Sequence, residues 1–151
     1  MYIKEVLKKY EDKKIKLFID MDGVIADYDF GTPKEYDKKR PLYDSIKKLE
    51  DISKMNNIEL HILSVTRMTN GREEKNIWLD KYVPFIKKEN RIIISREEND
   101  FMESSKLKAQ YLGNTKTDDL IIVIDDDPQV LKKINETNKN IVLLKDTVLV
   151  D

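Results

Sequence analysis

Two groups of aspartates close apolar runs in this chain. Asp20 and Asp22, with Gly23 directly after them, follow Ile15 to Ile19, and Asp125, Asp126 and Asp127 follow Leu120 to Ile124. Clustered carboxylates repel one another and take up protons unless a cation stands between them. A divalent ion reverses that preference and neutralises an anionic substrate as well. All-oxygen ligation with few dedicated protein ligands is the habit of Mg²⁺. The chemistry implied is Mg²⁺-assisted hydrolysis of a phosphate ester, a reaction that enzymes accelerate by up to ~10²¹.

A carboxylate nucleophile divides that reaction into two steps through an aspartyl-phosphate. Asp20 suits the role because it ends a strand, where its side chain can face an incoming phosphoryl group. Asp22 can protonate the leaving oxygen and then deprotonate the attacking water. Gly23 allows a tight backbone turn beside the phosphate. Asp127 precedes Pro128 and has the place of a helix cap, which leaves Asp125 and Asp126 for the ion. Zinc is a poor fit, since there are no cysteines and the single histidine, His61, falls inside an expected strand, packed or hydrogen-bonded there.

These residues need elements to position them. Residues 2–12 have helical spacing in Ile3, Val6, Leu7 and Tyr10 (a helical segment within 1–13). Strands are expected at Ile15–Asp20, Ile58–Leu63, Ile92–Ile94, Leu120–Ile124 and Ile141–Leu144. Helices are expected from Leu42 with Pro41 at the start, over 72–82 with Ile77, Trp78 and Tyr82 inward, over 104–112, and from Pro128 to about 138. Residues 23–40 read as a hairpin or loop, a small flap. Single helices between nearly continuous Ile/Val/Leu runs argue for a parallel sheet covered on both faces. The expected fold is therefore a three-layer, doubly wound α/β domain with a five-stranded parallel sheet. Ligands bind beyond the carboxyl ends of such strands, where Asp20, Ser64 and Asp125 all fall.

The 151 residues suit one domain, 1–151. Lys+Arg 28 against Asp+Glu 29 leaves a formal net charge of −1, so no global field draws the chain to nucleic acid or membrane. The absence of cysteine agrees with a cytoplasmic setting. The N-terminus lacks the apolar core of a signal peptide, and no run approaches a membrane span.

Phe18-Ile19-Asp20-Met21-Asp22-Gly23-Val24, Leu60-His61-Ile62-Leu63-Ser64, a lysine before the fourth strand, and Ile122-Val123-Ile124-Asp125-Asp126 follow in that order. In these motifs the chain resembles the haloacid dehalogenase-like (HAD) phosphohydrolase superfamily, over nearly its whole length. The resemblance implies a HAD-like Rossmannoid core, Asp20 as nucleophile and Mg²⁺ ligand, and Asp22 as acid/base with its backbone carbonyl on the ion. It implies Ser64 as a hydrogen-bond partner of the phosphoryl oxygens. It places Asp126, Asp125 or both on the metal, Asp126 first. Lys108 is favoured for the lysine because Leu107 and Leu112 would dock its helix; Lys106 and Lys116 stay open. Arg67, three residues after Ser64, is placed to meet a second phosphate or none.

Within the superfamily the chain is most similar to the 5′(3′)-deoxyribonucleotidase group, in Asp-Met-Asp-Gly-Val-Ile-Ala-Asp-Tyr and in Glu74 to Tyr82. It departs from that group between Asp27 and Ser64, where a loop, a helix and a strand leave no room for a helical cap. A lid excludes water and reads the leaving group, so without one the site should be open. The expected substrate is a phosphorylated small molecule, a nucleotide first. Nucleic-acid 3′-phosphate ends, phosphoproteins, and a non-catalytic HAD-fold binding domain are the alternatives. Tyr28, Phe30, Lys34, Tyr36 and Lys38 to Arg40 of the flap could touch substrate.

Overall fold

The five apolar runs lie side by side as one all-parallel sheet in the computed structural model, which describes residues 2–28 and 35–150. The central strand is β1 (Ile15–Ile19). It is flanked on one side by β2 (Ile58–Thr66) and then β3 (Arg91–Ser95), and on the other by β4 (Leu120–Asp125) and then β5 (Val142–Lys145). The chain winds outward from β1 through β2 to β3, then returns to the far side of β1. The order therefore reverses between β1 and β4, and open α/β sheets bind ligands at such a reversal. Ile19 stands level with Ile124, so Asp20 and Asp125 leave the sheet side by side. The Asp20 N–H donates to the Ile124 carbonyl at 3.0 Å.

Two hydrophobic layers account for the all-apolar strands. Leu17, Ile19, Ile122 and Ile124 turn to one face, where α1 (Ile3–Lys8), α2 (Tyr43–Ser53) and α3 (Gly71–Tyr82) pack with Ile3, Leu49, Ile52 and Trp78. Phe18, Ile121 and Val123 turn to the other, against Leu112 of α4 (Ser104–Gly113) and Val130 and Ile134 of α5 (Pro128–Thr137). The alternation of β1 and β4 residues between the layers follows from the period of two along a strand. The fold is the doubly wound α/β sheet expected. Among the described residues, no helix is long and apolar enough to cross a membrane.

Four details differ from expectation. Ile77 is exposed (54%), and the buried stripe of α3 is Lys75, Trp78 and Leu79 instead. These positions share one helix face, and Trp78 fixes which face is inward. Pro41 lies outside α2, which starts two residues later; it makes an antiparallel bridge with Ala26. The regular helix near the N-terminus is short, Ile3–Lys8, with turns carrying the chain on to β1. β2 runs on past Ser64 to Thr66, so Ser64 is a buried strand residue rather than the end of one.

The flap is two arms that brace each other. The Asp27 N–H donates to Arg40 (2.9 Å) and the Leu42 N–H to Ile25 (2.8 Å). Phe30 and Lys34 lie outside the described residues. The returning arm carries a short 3₁₀ turn, Tyr36–Lys38. It is held to α3 by the Trp78 indole N–H, which donates to the Lys39 carbonyl at 3.0 Å, and by Tyr36 edge-on to the Trp78 ring at 6.0 Å.

Candidate active site

The carboxyl ends of β1 and β4 bring three aspartates together. Asp20, Asp125 and Asp126 each present an oxygen within 4.8 Å of the others'. Lys108, on the buried face of α4, reaches between them, donating to Asp125 Oδ2 at 2.7 Å and to Asp20 Oδ1 at 3.0 Å. Leu107, Ala109 and Leu112 are buried around it and dock that helix. Lys106 is exposed on the same helix, and Lys116 is exposed in the loop that enters β4 at the opposite end of the sheet. Asp127 caps α5, its Oδ1 accepting from the Gln129 N–H at 2.9 Å, while its own N–H donates to Asp125 Oδ1 at 3.0 Å.

The electrostatics of this cluster follow from burial and like charge. Burial, and then the Asp20 charge, push the Asp125 carboxyl up to about 7 against the pull of Lys108. Burial also raises Asp126, to about 6; the Tyr28 hydroxyl opposes this and Asp20 adds to it. Burial disfavours the Lys108 ammonium, but Asp20 and Asp125 outweigh that and raise its pKa, so it stays cationic. Asp126 Oδ1 is buried with no hydrogen-bond partner, the only such side-chain atom among the described residues. Three carboxylates against one ammonium leave a formal charge of −2 when all are ionised. An unpartnered buried oxygen in an all-oxygen, doubly negative cluster fits a hard divalent cation such as Mg²⁺.

Gly23 makes room for that arrangement. It has φ +81°, and a Cβ there would lie 2.1 Å from Asp126 Oδ2 and 2.5 Å from Tyr28 Cε2. The turn expected at Gly23 is present, and the space beside it is taken by Asp126 and Tyr28.

A second cluster, rich in cations, adjoins the first. Asp22 Oδ1 accepts from Lys39 Nζ at 2.7 Å and from the Tyr36 hydroxyl at 2.9 Å, and Asp22 Oδ2 lies 3.4 Å from Lys75 Nζ. Lys75, buried in α3, also donates to Ser64 Oγ at 2.7 Å and to the Val65 carbonyl at 2.9 Å. Burial works to raise the Asp22 pKa, but Lys75, Lys39 and Tyr36 outweigh it and hold the carboxyl below its ordinary range. Burial pushes the Lys75 ammonium downward against the attraction of Asp22 and Asp20. Two ammoniums against one carboxylate leave this half formally at +1. Arg67 is exposed on the β2–α3 loop, which is tied to the β3–α4 loop by the Glu97 N–H donating to the Arg67 carbonyl at 3.0 Å.

No protein-family model and no curated protein matches the sequence. Solved structures do. A chain from the structure of the Pnkp1/Rnl/Hen1 RNA repair complex superposes with a TM-score of 0.68 at 17% identity, over 89% of this chain and 42% of that one. A chain from a further structure of the Pnkp1/Rnl/Hen1 complex gives 0.69 at 17%, over 88% of this chain and 46% of that one. The likeness is one of fold. This chain spans less than half the length of either match.

The structure thus gathers Asp20, Asp22, Ser64, Lys108, Asp125 and Asp126 at one edge of the sheet and leaves Arg67 exposed at the rim. Sequence reasoning gave Lys75 no place in the site. Its signal was present: a lysine three residues before a tryptophan and four before a leucine shares their face of a helix, and a cation on the inward face needs an acid to meet. Tyr36 and Lys39 were expected only as groups that could touch substrate; they hold Asp22.

Proposed function

We propose that this chain hydrolyses phosphate monoesters through an aspartyl-phosphate on Asp20. The observation that carries this is the pairing of a doubly negative carboxylate cluster with an adjacent cationic cluster at the β1/β4 reversal. One half suits a divalent cation and the other suits a phosphoryl group. Mg²⁺ would be held by Asp20, Asp125 and Asp126, with the Asp22 backbone carbonyl, as in the family the motifs resemble. When bound, it would offset the negative charge of substrate and carboxylates.

The residues of the chain divide the remaining work. Lys108 fixes the Asp20 carboxylate through Oδ1 for attack on phosphorus. As the Asp20–phosphorus bond forms and the ester bond breaks, Asp22 gives its proton to the leaving oxygen. Water then forms the new bond to phosphorus, the bond to Asp20 breaks, and Asp22 takes a proton from that water. Asp22 is held ionised here by its cationic partners, which suits the second step. A dianionic phosphoryl group beside it draws on those same cations and shifts the carboxyl toward its protonated form, as the first step needs. Proton transfer of this kind contributes roughly 10²–10⁴-fold. Ser64 donates to a phosphoryl oxygen.

The substrate we favour is a nucleotide or the phosphorylated end of a nucleic acid. The motif resemblance supports the first, and the fold shared with chains of an RNA repair complex supports the second. The test is hydrolysis of p-nitrophenyl phosphate with Mg²⁺ and with chelator, followed by mononucleotides and 3′-phosphorylated oligonucleotides. Expected are Mg²⁺-dependent turnover and its loss, by about 10⁴-fold or more, in folded Asp20→Asn. Turnover that persists in Asp20→Asn would remove the covalent route. No turnover on any ester would remove the enzyme.

A further inference from the structure

The hydrolytic scheme uses Lys75 only as one of the cations beside Asp22, yet its ammonium is buried at 4% exposure on the inner face of α3. Taking an ammonium out of water costs several kcal/mol unless it is well paired, and an apolar side chain would dock α3 as well. The pairing is specific. Three N–H donors meet three acceptors: Ser64 Oγ at 2.7 Å, the Val65 carbonyl at 2.9 Å and Asp22 Oδ2 at 3.4 Å.

The donor and acceptor inventory then orients both neighbours. Lysine offers only donors, so Ser64 Oγ accepts from Lys75 and its own proton must be donated elsewhere. Asp22 is bound unequally. Its Oδ1 takes the short bonds from Lys39 and Tyr36, 2.7 and 2.9 Å, while Oδ2 has, among the described residues, only the longer contact with Lys75. Oδ2 is the less committed oxygen, the one with capacity to carry a proton.

We propose that Lys75 is a positioning residue that makes Ser64 a donor to the phosphoryl group and presents Asp22 Oδ2 as the oxygen that exchanges protons with the leaving group and water. This rests on the hydrolytic reading above. Lys75 itself transfers nothing. In the first half the Oδ2 proton goes to the leaving oxygen as the ester bond breaks, and in the second half a proton of the attacking water returns to Oδ2. Lys39 and Tyr36 anchor the other end of the carboxyl group, on a flap arm that is itself fastened to Trp78.

The rival account is that Lys75 only fastens α3 to β2, and leaving-group basicity separates the two. p-Nitrophenolate leaves with little need of a proton, whereas the alkoxide of glycerol 2-phosphate needs one. Lys75→Met in the whole 151-residue chain is expected to lose at least about 10-fold more kcat on glycerol 2-phosphate than on p-nitrophenyl phosphate, with KM changing less than kcat. Equal losses on the two esters, or no loss, would overturn the proposal. Should Lys75→Met fail to fold, Lys75→Leu, which also removes every donor and keeps an apolar side chain to dock α3, serves the same comparison. Failure of the hydrolytic reading is separate: wild-type protein would then turn over neither ester.

Discussion

At the amino-terminal end of the strands Lys16 pairs with Glu59 at 2.9 Å and with Asp119 at 3.6 Å; at the carboxyl-terminal end Lys108 pairs with Asp125 at 2.7 Å and with Asp20 at 3.0 Å. The residue types and spacings are nearly the same, and the environments are opposite. Side-chain exposure is 22% for Lys16 and 51% for Glu59, against 5% for Lys108 and 1% for Asp125. At the open end water screens the pairs, and the hydrogen bond between them moves each partner away from its neutral form: Glu59 downward, Lys16 upward. At the closed end burial and mutual repulsion raise two acids toward neutral pH. Exposed pairs cost little and contribute little, whereas buried acids around one ammonium are a standing expense that packing alone would not select. A task beyond stability is the physical reason to keep them.

The sharpest way to break this contrast is to remove the central cation from each end. Lys108→Met leaves buried acids facing each other. It should destabilise the fold by about 3–5 kcal/mol near pH 8 and abolish most turnover. The pH sign follows from the acids: their folded-state values lie above the unfolded one, so their penalty is absent in acid and grows as pH rises through about 6 and 7. Thermal melts of this variant should therefore recover toward pH 5; a melt equally low at both pH values would contradict the account. Lys16→Met should shift stability by no more than about 0.5 kcal/mol.

A smaller effect, of opposite sign, is expected from Asp126→Asn. It removes one half-buried charge, so without divalent ions Tm near pH 8 should rise by a few degrees, about what 1 kcal/mol yields in a domain this size. The rise that Mg²⁺ produces in the wild-type protein should shrink or vanish in the variant. An undiminished Mg²⁺ shift in Asp126→Asn would place the ion elsewhere. Smallest of all, Glu59→Gln should remove a slight loss of stability in acid. The folded-state value of Glu59 is depressed, so its contribution is present above the unfolded value and fades as pH falls. Urea midpoints at pH 4 and pH 7 measure that directly.

The same contrast explains what was legible in the sequence. Strands announced themselves because each is a short, nearly continuous apolar run, and the aspartates at the ends of two of them marked the reversal of strand order. Asp127 declared its cap by standing before Pro128, and His61 its packing by lying within a strand, where it stacks on Phe18 at 4.7 Å. What stayed hidden depended on contacts between distant segments. The partners of Asp22 come from the flap and from α3; nothing local to Lys39 distinguishes it from the many surface lysines, and the spacing of Lys75 to Trp78 and Leu79 marks its face but not the acid it meets. Ile77 misled because an apolar residue next to a tryptophan invites burial, although only one of the two can face the sheet. Pro41 misled because a proline before a periodic stretch reads as a helix start; its pairing with Ala26 was set by the opposite arm of the flap.

The central claim is that Asp20 becomes phosphorylated during turnover. Rapid mixing of the protein with p-nitrophenyl phosphate and Mg²⁺, an acid quench within one turnover and peptide mass spectrometry reads this directly. The expected result is one phosphoryl group on the peptide containing Asp20, absent in Asp20→Asn and gone once substrate is exhausted. Active protein that yields an unmodified Asp20 peptide at every quench time, or a phosphoryl group on another residue, would contradict the account.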